Sequence, residues 1–475
     1  MNSHLNKLPL LLVSFSIAFG RLYAQNDTVP HFVKDSLDTY TEKALVNWQI
    51  PGVAVCIIKN GKIVLMKGYG VKELGTNDKV DENTLFMIGS NTKAFTATAL
   101  AMLDNEKKLS LDDKVTKWIP QFKLDNKAAG EQAIIRDLLC HRIGFRTFQG
   151  DFTYWTSDLS RKQVIEKMSN IKAEYPFRTK WGYTNAAFLT AGEIIPRATG
   201  ISWEDFLKEK IFLPLGMNNT LALSKDFPNA PNKCTPHTIA DGKLIKIPFC
   251  LIDNLAPAGS IGCSVNDMSK WVMALLNNGR VDDKQIIPGA AIDQTRTPNS
   301  ILGNGGTLYN HGHFALYGLG WFLEEYGGKK NVSHTGGVNG FVTSVTLLPE
   351  EKLGIIVFTN TDQNAFYEAL KWEILDAYLG FPYRNYSKVY LNFQQMQNRA
   401  LEQKEQKMKD SAALHLKPAL PITAYTGKYY NNVYGNMNVV WESGELKMKF
   451  SHHPNMYAKS SAARRVGPAC RSRWS

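Results

Sequence analysis

The turn Asn60-Gly61 constrains the fold of this chain more than any other short stretch. It separates two strand-like runs, "GVAVCIIK" and "KIVLMKGYG". Asn-Gly between such runs is the strongest short-range signal for a β-hairpin, because both turn positions need positive φ. The preceding stretch, "DSLDTYTEKALVNWQI", has helical spacing and ends before Pro51. We therefore predict a helix followed by an antiparallel hairpin.

Strand signals return only late in the sequence. From Thr84 to about Gly289 the periodicity is mostly helical. The later stretch "GFVTSVTLLPEEKLGIIVFTN" contains two β runs joined by Pro349 to Lys352 and is followed by a helical pattern. A hairpin and late strands around a helical middle predict an α+β fold. In this fold, one antiparallel sheet is flanked by helices, takes strands from both ends of the chain and carries an inserted helical domain.

The N-terminal end differs in character from this central part. Lys7 is followed by an apolar run of about a dozen residues and then a small residue at Ala24, which is the pattern of a secretory signal peptide. The run is shorter than the roughly 20 residues that span a bilayer, and no later segment reaches that length. We therefore predict that residues 1–24 are a signal peptide and that the mature protein is secreted, to the periplasm in a bacterial host, without a stable membrane span.

The rest of the chain divides by composition. Residues 25–385 hold the predicted sheet and helical domain, and the charged stretch 386–420 is predicted to be a helical linker. Alternation and turn signals in 421–458 predict a small all-β appendage that is only part of a domain. The abrupt change of composition in 459–475 predicts a non-native or disordered tail.

The formal net charge of +12 does not indicate a nucleic-acid partner. Much of it lies in the predicted signal peptide and in the acid-free tail, so the charge left for the folded part is modest. No basic stripe interleaved with aromatic residues is present. We therefore expect a small-molecule or short peptide substrate, with no nucleic acid and with the oligomeric state left open.

The stretch "FMIGSNTKAFTATALAML" is typical of a buried helix except for its polar start. Ser90 could simply cap the helix. Lys93, however, lies three residues later and shares a helix face with Ser90, and the apolar run after it offers no acid. A buried, unpaired ammonium tends to lose its proton, and a neutral amine can help deprotonate a hydroxyl. The pair therefore indicates a nucleophile and a proton acceptor.

Two further motifs follow in order. "KWGYTNAAFLTAGEII" contains Tyr183 and Asn185 just before a helix, and "NVSHTGGVNGFVTSV" contains His334-Thr335-Gly336 at the start of a late strand. Ser90-x-x-Lys93, Tyr183-x-Asn185 and His-Thr-Gly, in this order and spacing, resemble the class C-like serine β-lactamase and penicillin-binding-protein superfamily. The resemblance covers roughly residues 30–380. It implies a β-lactamase/transpeptidase-like fold and a hydrolase that needs no metal and no organic cofactor.

The resemblance also implies roles for these residues. Ser90 would attack a carbonyl and form an acyl-enzyme, while Lys93 and Tyr183 share its proton. The nearby ammonium is expected to lower the pKa of the Tyr183 phenol so that it acts as a base. Asn185 would hold a substrate amide or orient Lys93. The backbone N–H groups of Ser90 and Gly337 would form the oxyanion hole.

The third motif departs from the family pattern. His334, Thr335 and Gly336 would bind substrate, but β-lactamases and transpeptidases of this type usually have lysine where this chain has His334. A histidine is mostly neutral at pH 7, so recognition of a substrate carboxylate should weaken. We therefore expect an esterase or a D-amino-acid peptidase. A β-lactamase proper and a penicillin-binding sensor module that is acylated without turnover remain alternatives.

Other catalytic patterns are poor. No G-x-S-x-G elbow is present, which argues against an α/β-hydrolase. Cys140 and His141 are adjacent in sequence, so a catalytic Cys-His pair is not expected. The histidine pairs at 311/313 and 452/453 have no H-E-x-x-H context, and we interpret them as solvated loop residues.

Overall fold

The structure is a computed structural model that describes residues 28–413 and 420–460. The predicted signal peptide, 1–24, lies outside the described residues, and so does most of the predicted tail, 461–475. Within the described ranges, no helix is both long enough and apolar enough to cross a membrane.

An eight-stranded antiparallel sheet forms the centre of the protein. Its strands in chain order are β1 (Gly52–Lys59), β2 (Lys62–Gly70), β3 (Ser300–Gly306), β4 (His311–Tyr317), β5 (Phe322–Tyr326), β6 (Lys329–Val338), β7 (Phe341–Leu348) and β8 (Leu353–Thr359). Their spatial order is β2-β1-β8-β7-β6-β5-β4-β3. Strand β1 pairs with β8, with Val53 opposite Thr359 and Cys56 opposite Ile356. Early and late strands of the chain therefore meet in one sheet, which confirms the predicted α+β fold.

Helices cover both faces of this sheet. The α-helices are α1 (Leu37–Asn47), α2 (Thr92–Asn105), α3 (Val115–Trp118), α4 (Lys127–Gln132), α5 (Ile135–Leu139), α6 (Arg161–Lys167), α7 (Asn185–Gly192), α8 (Ile194–Thr199), α9 (Trp203–Leu207), α10 (Leu213–Leu215), α11 (Ala256–Gly259), α12 (Val265–Leu276), α13 (Gly289–Thr295), α14 (Phe366–Leu379) and α15 (Tyr386–Ala413). Short 3₁₀ turns are Gly89–Asn91, Asp151–Thr153, Met168–Asn170, Ser224–Asn229, Asp253–Leu255, Pro349–Glu351 and Ile422–Tyr425, and π turns are Phe32–Ser36 and Lys208–Phe212. Small two-stranded pairs join Phe86–Met87 to Gly262–Cys263, His237–Ala240 to Lys243–Lys246, and Arg280–Val281 to Lys284–Gln285.

Strand β1 shows how the layers pack. Successive side chains of a strand point to opposite faces. Val53 and Val55 face the core formed with α1 and α14, whereas Ala54 and Cys56 face the core that contains α2 and α12. Every residue of β1 is buried. The continuous apolar run of this strand is therefore explained by burial on both faces.

Local turn signals were accurate, whereas two strands of the central sheet were missed. Asn60 and Gly61 have φ values of 52° and 73°, as the hairpin requires. Strands β3 and β4 were not predicted, because "SILGNGG" and "HGHFALY" have few β-branched residues. The interpretation of His311 and His313 as loop residues was wrong, since both lie on β4.

The C-terminal sheet is a second, smaller unit. Its four antiparallel strands pair in chain order and are β9 (Gly427–Asn431), β10 (Gly435–Glu442), β11 (Glu445–Phe450) and β12 (Tyr457–Ser460). The 28-residue helix α15 precedes it. Helix α15 lies in the segment predicted as a linker, and the sheet lies in the predicted appendage except that β12 ends at Ser460, two residues into the predicted tail.

The C-terminal sheet packs against the segment that runs from residue 151 to residue 158. The ring of His453 stacks on Phe152 with centroids 3.9 Å apart, and its Nε2 lies 2.9 Å from the Phe152 carbonyl oxygen. His452 Nδ1 lies 3.0 Å from Asp158 Oδ1. His453 is only 1% exposed, so its interpretation as a solvated residue was wrong.

The contact made by His453 should be sensitive to acid. Burial lowers the pKa of His453, so its neutral ring is favoured in the folded state. This contribution to stability is present above the usual histidine pKa near 6.5 and is lost as pH falls through the folded value. We expect His453→Phe, which keeps an aromatic ring on Phe152, to remove this part of the acid sensitivity. The free energy of unfolding should fall less between pH 8 and pH 5 in the variant than in wild type, and equal falls would contradict the prediction.

Candidate active site

Ser90 lies at the entrance of the buried helix α2. In the run from Thr84 to Leu103 every residue is buried except Ser90, which is partly exposed. It belongs to the 3₁₀ turn that leads into α2, and no side-chain cap is formed at this helix start. The Ser90 hydroxyl instead lies 2.9 Å from Lys93 Nζ and hydrogen-bonds the Tyr183 side chain. Its environment is therefore that of a nucleophile between two proton-transfer groups.

Lys93 is fully buried and surrounded by acceptors. Its Nζ lies 2.9 Å from Ser90 Oγ, 2.7 Å from Asn185 Oδ1 and 2.8 Å from the Ala258 carbonyl oxygen. Burial lowers the pKa of Lys93 well below its usual value, against the opposing charge of Asp151. A neutral amine has two N–H donors and one lone pair. Because the two carbonyl oxygens only accept, they take both donors, and the lone pair is left facing Ser90.

The pKa of Tyr183 is shifted in the direction opposite to the one predicted. Burial raises the pKa of its phenol, which outweighs the lowering by the hydrogen bond to Ser90. The predicted lowering by the Lys93 ammonium is therefore wrong, because the buried lysine itself favours the neutral form. Lys93 Nζ lies 4.8 Å from the centroid of the Tyr183 ring. The phenol stays protonated at neutral pH, and Lys93 is the better proton acceptor.

We expect Tyr183→Phe to reduce activity less than the loss of Lys93. If the phenol acts as a protonated hydrogen-bond partner of Ser90, its removal should lower kcat by roughly tenfold, the size of one neutral hydrogen bond. Steady-state kcat measured between pH 6 and 10 checks this. If Tyr183→Phe loses as much activity as a Lys93 variant, Tyr183 is the main base and this assignment is wrong.

Asn185 connects Lys93 to two residues that the motifs did not reveal. Its Oδ1 accepts from Lys93, and its Nδ2 donates to Asp151 Oδ2 at 3.0 Å and to the Tyr154 hydroxyl at 2.9 Å. Asp151 and Tyr154 lie in "GDFTYW", far from the predicted motifs in sequence. An acid beside an aromatic run in a loop was the one signal that could have found them.

The strand β6 brings the third motif to the site. A Cβ added to Gly336 would lie 1.8 Å from the Ile88 carbonyl oxygen, and one added to Gly89 would lie 2.7 Å from the Gly337 nitrogen. The main chains before Ser90 and along β6 are therefore in contact, which brings together the backbone groups predicted for the oxyanion hole. Thr335 is partly exposed and so remains available to a substrate.

His334 does not occupy the place expected of a substrate-binding side chain. It is 1% exposed, its Nδ1 lies 2.6 Å from the Thr335 carbonyl oxygen and its Nε2 lies 3.0 Å from the Tyr317 hydroxyl. Burial and the nearby Lys93 lower its pKa to about 3, so the ring is neutral at pH 7. The carbonyl fixes the proton on Nδ1, and Nε2 accepts from Tyr317. His334 thus supports the wall of the site, and the prediction of direct contact through its side chain needs this correction.

His141 contacts the loop that carries Tyr183. The Thr184 backbone N–H donates to His141 Nδ1 at 3.0 Å, and the His141 ring centroid lies 4.3 Å from that of Tyr183. His141 is fully buried, and burial lowers its pKa well below the usual value. It therefore positions the phenol, and Cys140 beside it is a buried thiol whose pKa is raised by burial to about 11.

Comparison with known proteins identifies a family for this chain. The Beta-lactamase family model matches residues 37–379. Unguisins hydrolase ungD of Aspergillus violaceofuscus (strain CBS 115571) is 26% identical over 467 residues, covering 92% of this chain and 81% of the relative. Protein flp of Staphylococcus aureus (strain NCTC 8325 / PS 47) is 27% identical over 332 residues, covering 69% of this chain and 63% of the relative.

Solved structures share the fold. The octameric penicillin-binding protein homologue from Pyrococcus abyssi has a TM-score of 0.65 at 22% identity, with 89% of each chain covered. A D-stereospecific amidohydrolase from Streptomyces sp. has a TM-score of 0.55 at 20% identity, with 68% of this chain and 94% of that chain covered. From the match over residues 37–379, the chain belongs to the Beta-lactamase family of serine hydrolases.

Proposed function

We propose that this protein hydrolyses esters or amides through a covalent acyl-enzyme on Ser90. The observation that carries the proposal is the surroundings of Lys93. Two carbonyl acceptors take the N–H groups of its neutral amine, and the lone pair is aimed at the Ser90 hydroxyl 2.9 Å away. This is the arrangement needed for a general base next to a serine nucleophile.

The proposed reaction has two stages. Lys93 accepts the Ser90 proton as Oγ attacks the carbonyl carbon, and the negative charge on the carbonyl oxygen is stabilised by the N–H groups of Ser90 and Gly337. The tetrahedral intermediate collapses, the bond to the leaving group breaks, and that group takes the proton from Lys93, with Tyr183 beside it. A water molecule then attacks the acyl-enzyme with Lys93 as base, and the acid product leaves as Ser90 regains its proton.

The neutral, buried state of His334 favours substrates that are not bound through a carboxylate. The lysine typical of β-lactamases is replaced by a ring that is neutral and buried. A charged contact from this position is therefore absent, which favours esters and neutral amides over β-lactam antibiotics. The names of two similar proteins, a hydrolase of unguisins and a D-stereospecific amidohydrolase, support amide substrates and D-amino-acid peptides in particular.

A substrate panel tests the proposal. We would measure turnover of a short-chain p-nitrophenyl ester, a D-alanyl anilide and a chromogenic cephalosporin by wild type, with Ser90→Ala as background. The proposal predicts continuous turnover of the ester or the anilide, with a lower kcat/KM for the cephalosporin. Preferred cephalosporin turnover would indicate a β-lactamase proper. A burst of one equivalent on every substrate would indicate a sensor, and either result would overturn the proposed activity.

A further inference from the structure

Asp151 is an acidic side chain at the site that the proposed reaction does not use. It lies at the start of the 3₁₀ turn Asp151–Thr153 and is partly exposed, although protein surrounds its carboxyl group closely. Burial raises its pKa to about 6, in opposition to hydrogen bonds from Tyr154 and Asn185. A carboxyl group held at this cost beside a buried lysine needs an explanation.

The hydrogen bonds of Asp151 fix the direction of the Asn185 amide. Asn185 Nδ2 lies 3.0 Å from Asp151 Oδ2, so Nδ2 must donate there, because an ionised carboxylate only accepts. A flipped amide would place two acceptors against each other. The amide oxygen is thereby directed to Lys93, whose Nζ lies 2.7 Å away. That contact takes one N–H of Lys93 and helps to leave the lone pair facing Ser90.

The charge of Asp151 acts on Lys93 as well. Asp151 raises the pKa of Lys93 while burial lowers it. Among the residues that the structure describes, the other titratable groups that face Asp151 or Lys93 are Tyr154, Tyr183, Tyr434, His141 and His334. The buried phenols and imidazoles in this set are neutral at pH 7, because burial raises the pKa of Tyr154 and lowers those of both histidines. The Asp151 carboxylate is therefore the charge that opposes loss of the Lys93 proton.

We propose that Asp151 is a positioning residue of this site, which holds Lys93, through the Asn185 amide, in the orientation that accepts the Ser90 proton. The proposal rests on the proposed acyl-enzyme reaction at Ser90. It adds a residue that touches neither substrate nor nucleophile.

Asp151→Asn tests the proposal, because it removes the charge and keeps the shape. The rate of p-nitrophenyl ester hydrolysis is measured from pH 5 to pH 9. Without its counter-charge Lys93 should lose its proton more readily, so the acidic limb of the kcat/KM profile should move down by about one pH unit. The plateau kcat should fall by about tenfold, as expected for loss of a charge-assisted hydrogen bond, with KM unchanged. Asp158→Asn is the matched control, since it removes an acid from the same segment and should leave the profile as in wild type.

A variant that moves the carboxylate closer to Lys93 should shift the acidic limb of the pH profile in the opposite direction. The double variant Asp151→Asn/Asn185→Asp keeps volume and net charge but moves the carboxylate one hydrogen bond closer to Lys93. Its acidic limb should move to higher pH, even where the single variant folds poorly. Limbs that stay at the wild-type pH in both variants, while Ser90→Ala is inactive, would overturn the role of Asp151 and leave the proposed reaction standing. Full activity of Ser90→Ala would overturn the reaction and this role together.

Discussion

Replacing Lys93 by methionine is expected to lower kcat/KM by about 10²–10⁴-fold, the usual contribution of a general base. Methionine is an unbranched side chain only one atom shorter than lysine, and it has no amine that could accept the Ser90 proton. The fold should persist, because methionine removes the cost of burying a polar amine, which offsets the hydrogen bonds lost to Asn185 and Ala258. Steady-state kinetics on the best substrate, with a thermal unfolding curve for each protein, measure both effects.

A second buried lysine provides the control. Lys371 on α14 is 4% exposed and pairs with Glu368 on the same helix. Lys371→Met removes a buried ammonium of the same size outside the site and should leave kcat/KM within a few-fold of wild type. If Lys93→Met were as active as Lys371→Met, Lys93 would not be the base and the mechanism would fail.

Gly336→Ala is expected to be the most damaging small substitution in the site. Its Cβ would lie 1.8 Å from the Ile88 carbonyl oxygen, a main-chain atom that cannot turn aside as a side chain can. Strand β6 must then move away from the turn that carries Ser90, which separates the predicted oxyanion donors. A displacement of about 1 Å in such a site costs about 10²-fold in rate. We therefore expect kcat to fall by at least that factor, with an unfolding midpoint below that of wild type.

Gly380→Ala separates the collision from the general cost of losing a glycine. Gly380 ends α14 with φ of 72°, and an added Cβ there meets nothing within 4 Å. That variant should lose about 1–2 kcal/mol of stability from the left-handed backbone and keep its kcat. Wild-type kcat in Gly336→Ala would show that β6 can shift without consequence, contrary to the close approach seen here.

The catalytic residues that the sequence revealed are those with local context. Ser90 and Lys93 share a helix turn, so their proximity follows from spacing alone. Tyr183 and Asn185 lie together at the start of α7, and the order of the three motifs linked them to Ser90. The structure brings all four together within hydrogen-bond or ring contact.

What the sequence could not reveal depends on contacts between distant segments. Asp151 and Tyr154 reach Asn185 only through the folded loop, and no periodicity marks them. The acidity of Tyr183 was predicted from one neighbour, the Lys93 ammonium, whereas burial decides its direction. Burial is a property of the whole fold, so its effect on a pKa is visible only once the surrounding elements are placed.

In the fold too, the elements with local sequence signals were predicted and those that depend on distant contacts were not. Strands with β-branched runs and a defined turn, such as β1 and β2, were predicted from their residues. Strand β3 is an edge strand that pairs with β4, and β4 in turn pairs with β5; this pairing, rather than their own propensity, holds both strands in the sheet. The strands that were not predicted therefore depend on long-range pairing, which the sequence alone does not reveal.

The most direct test of the central claim is to identify the residue that becomes acylated. Wild type, Ser90→Ala and Lys93→Met would each be treated with a fluorophosphonate, and the modified residue would be located by intact mass and peptide mapping. The account predicts one adduct on Ser90 in wild type, none in Ser90→Ala and slow labelling in Lys93→Met. An adduct on another residue, or equal labelling of Ser90→Ala, would contradict it.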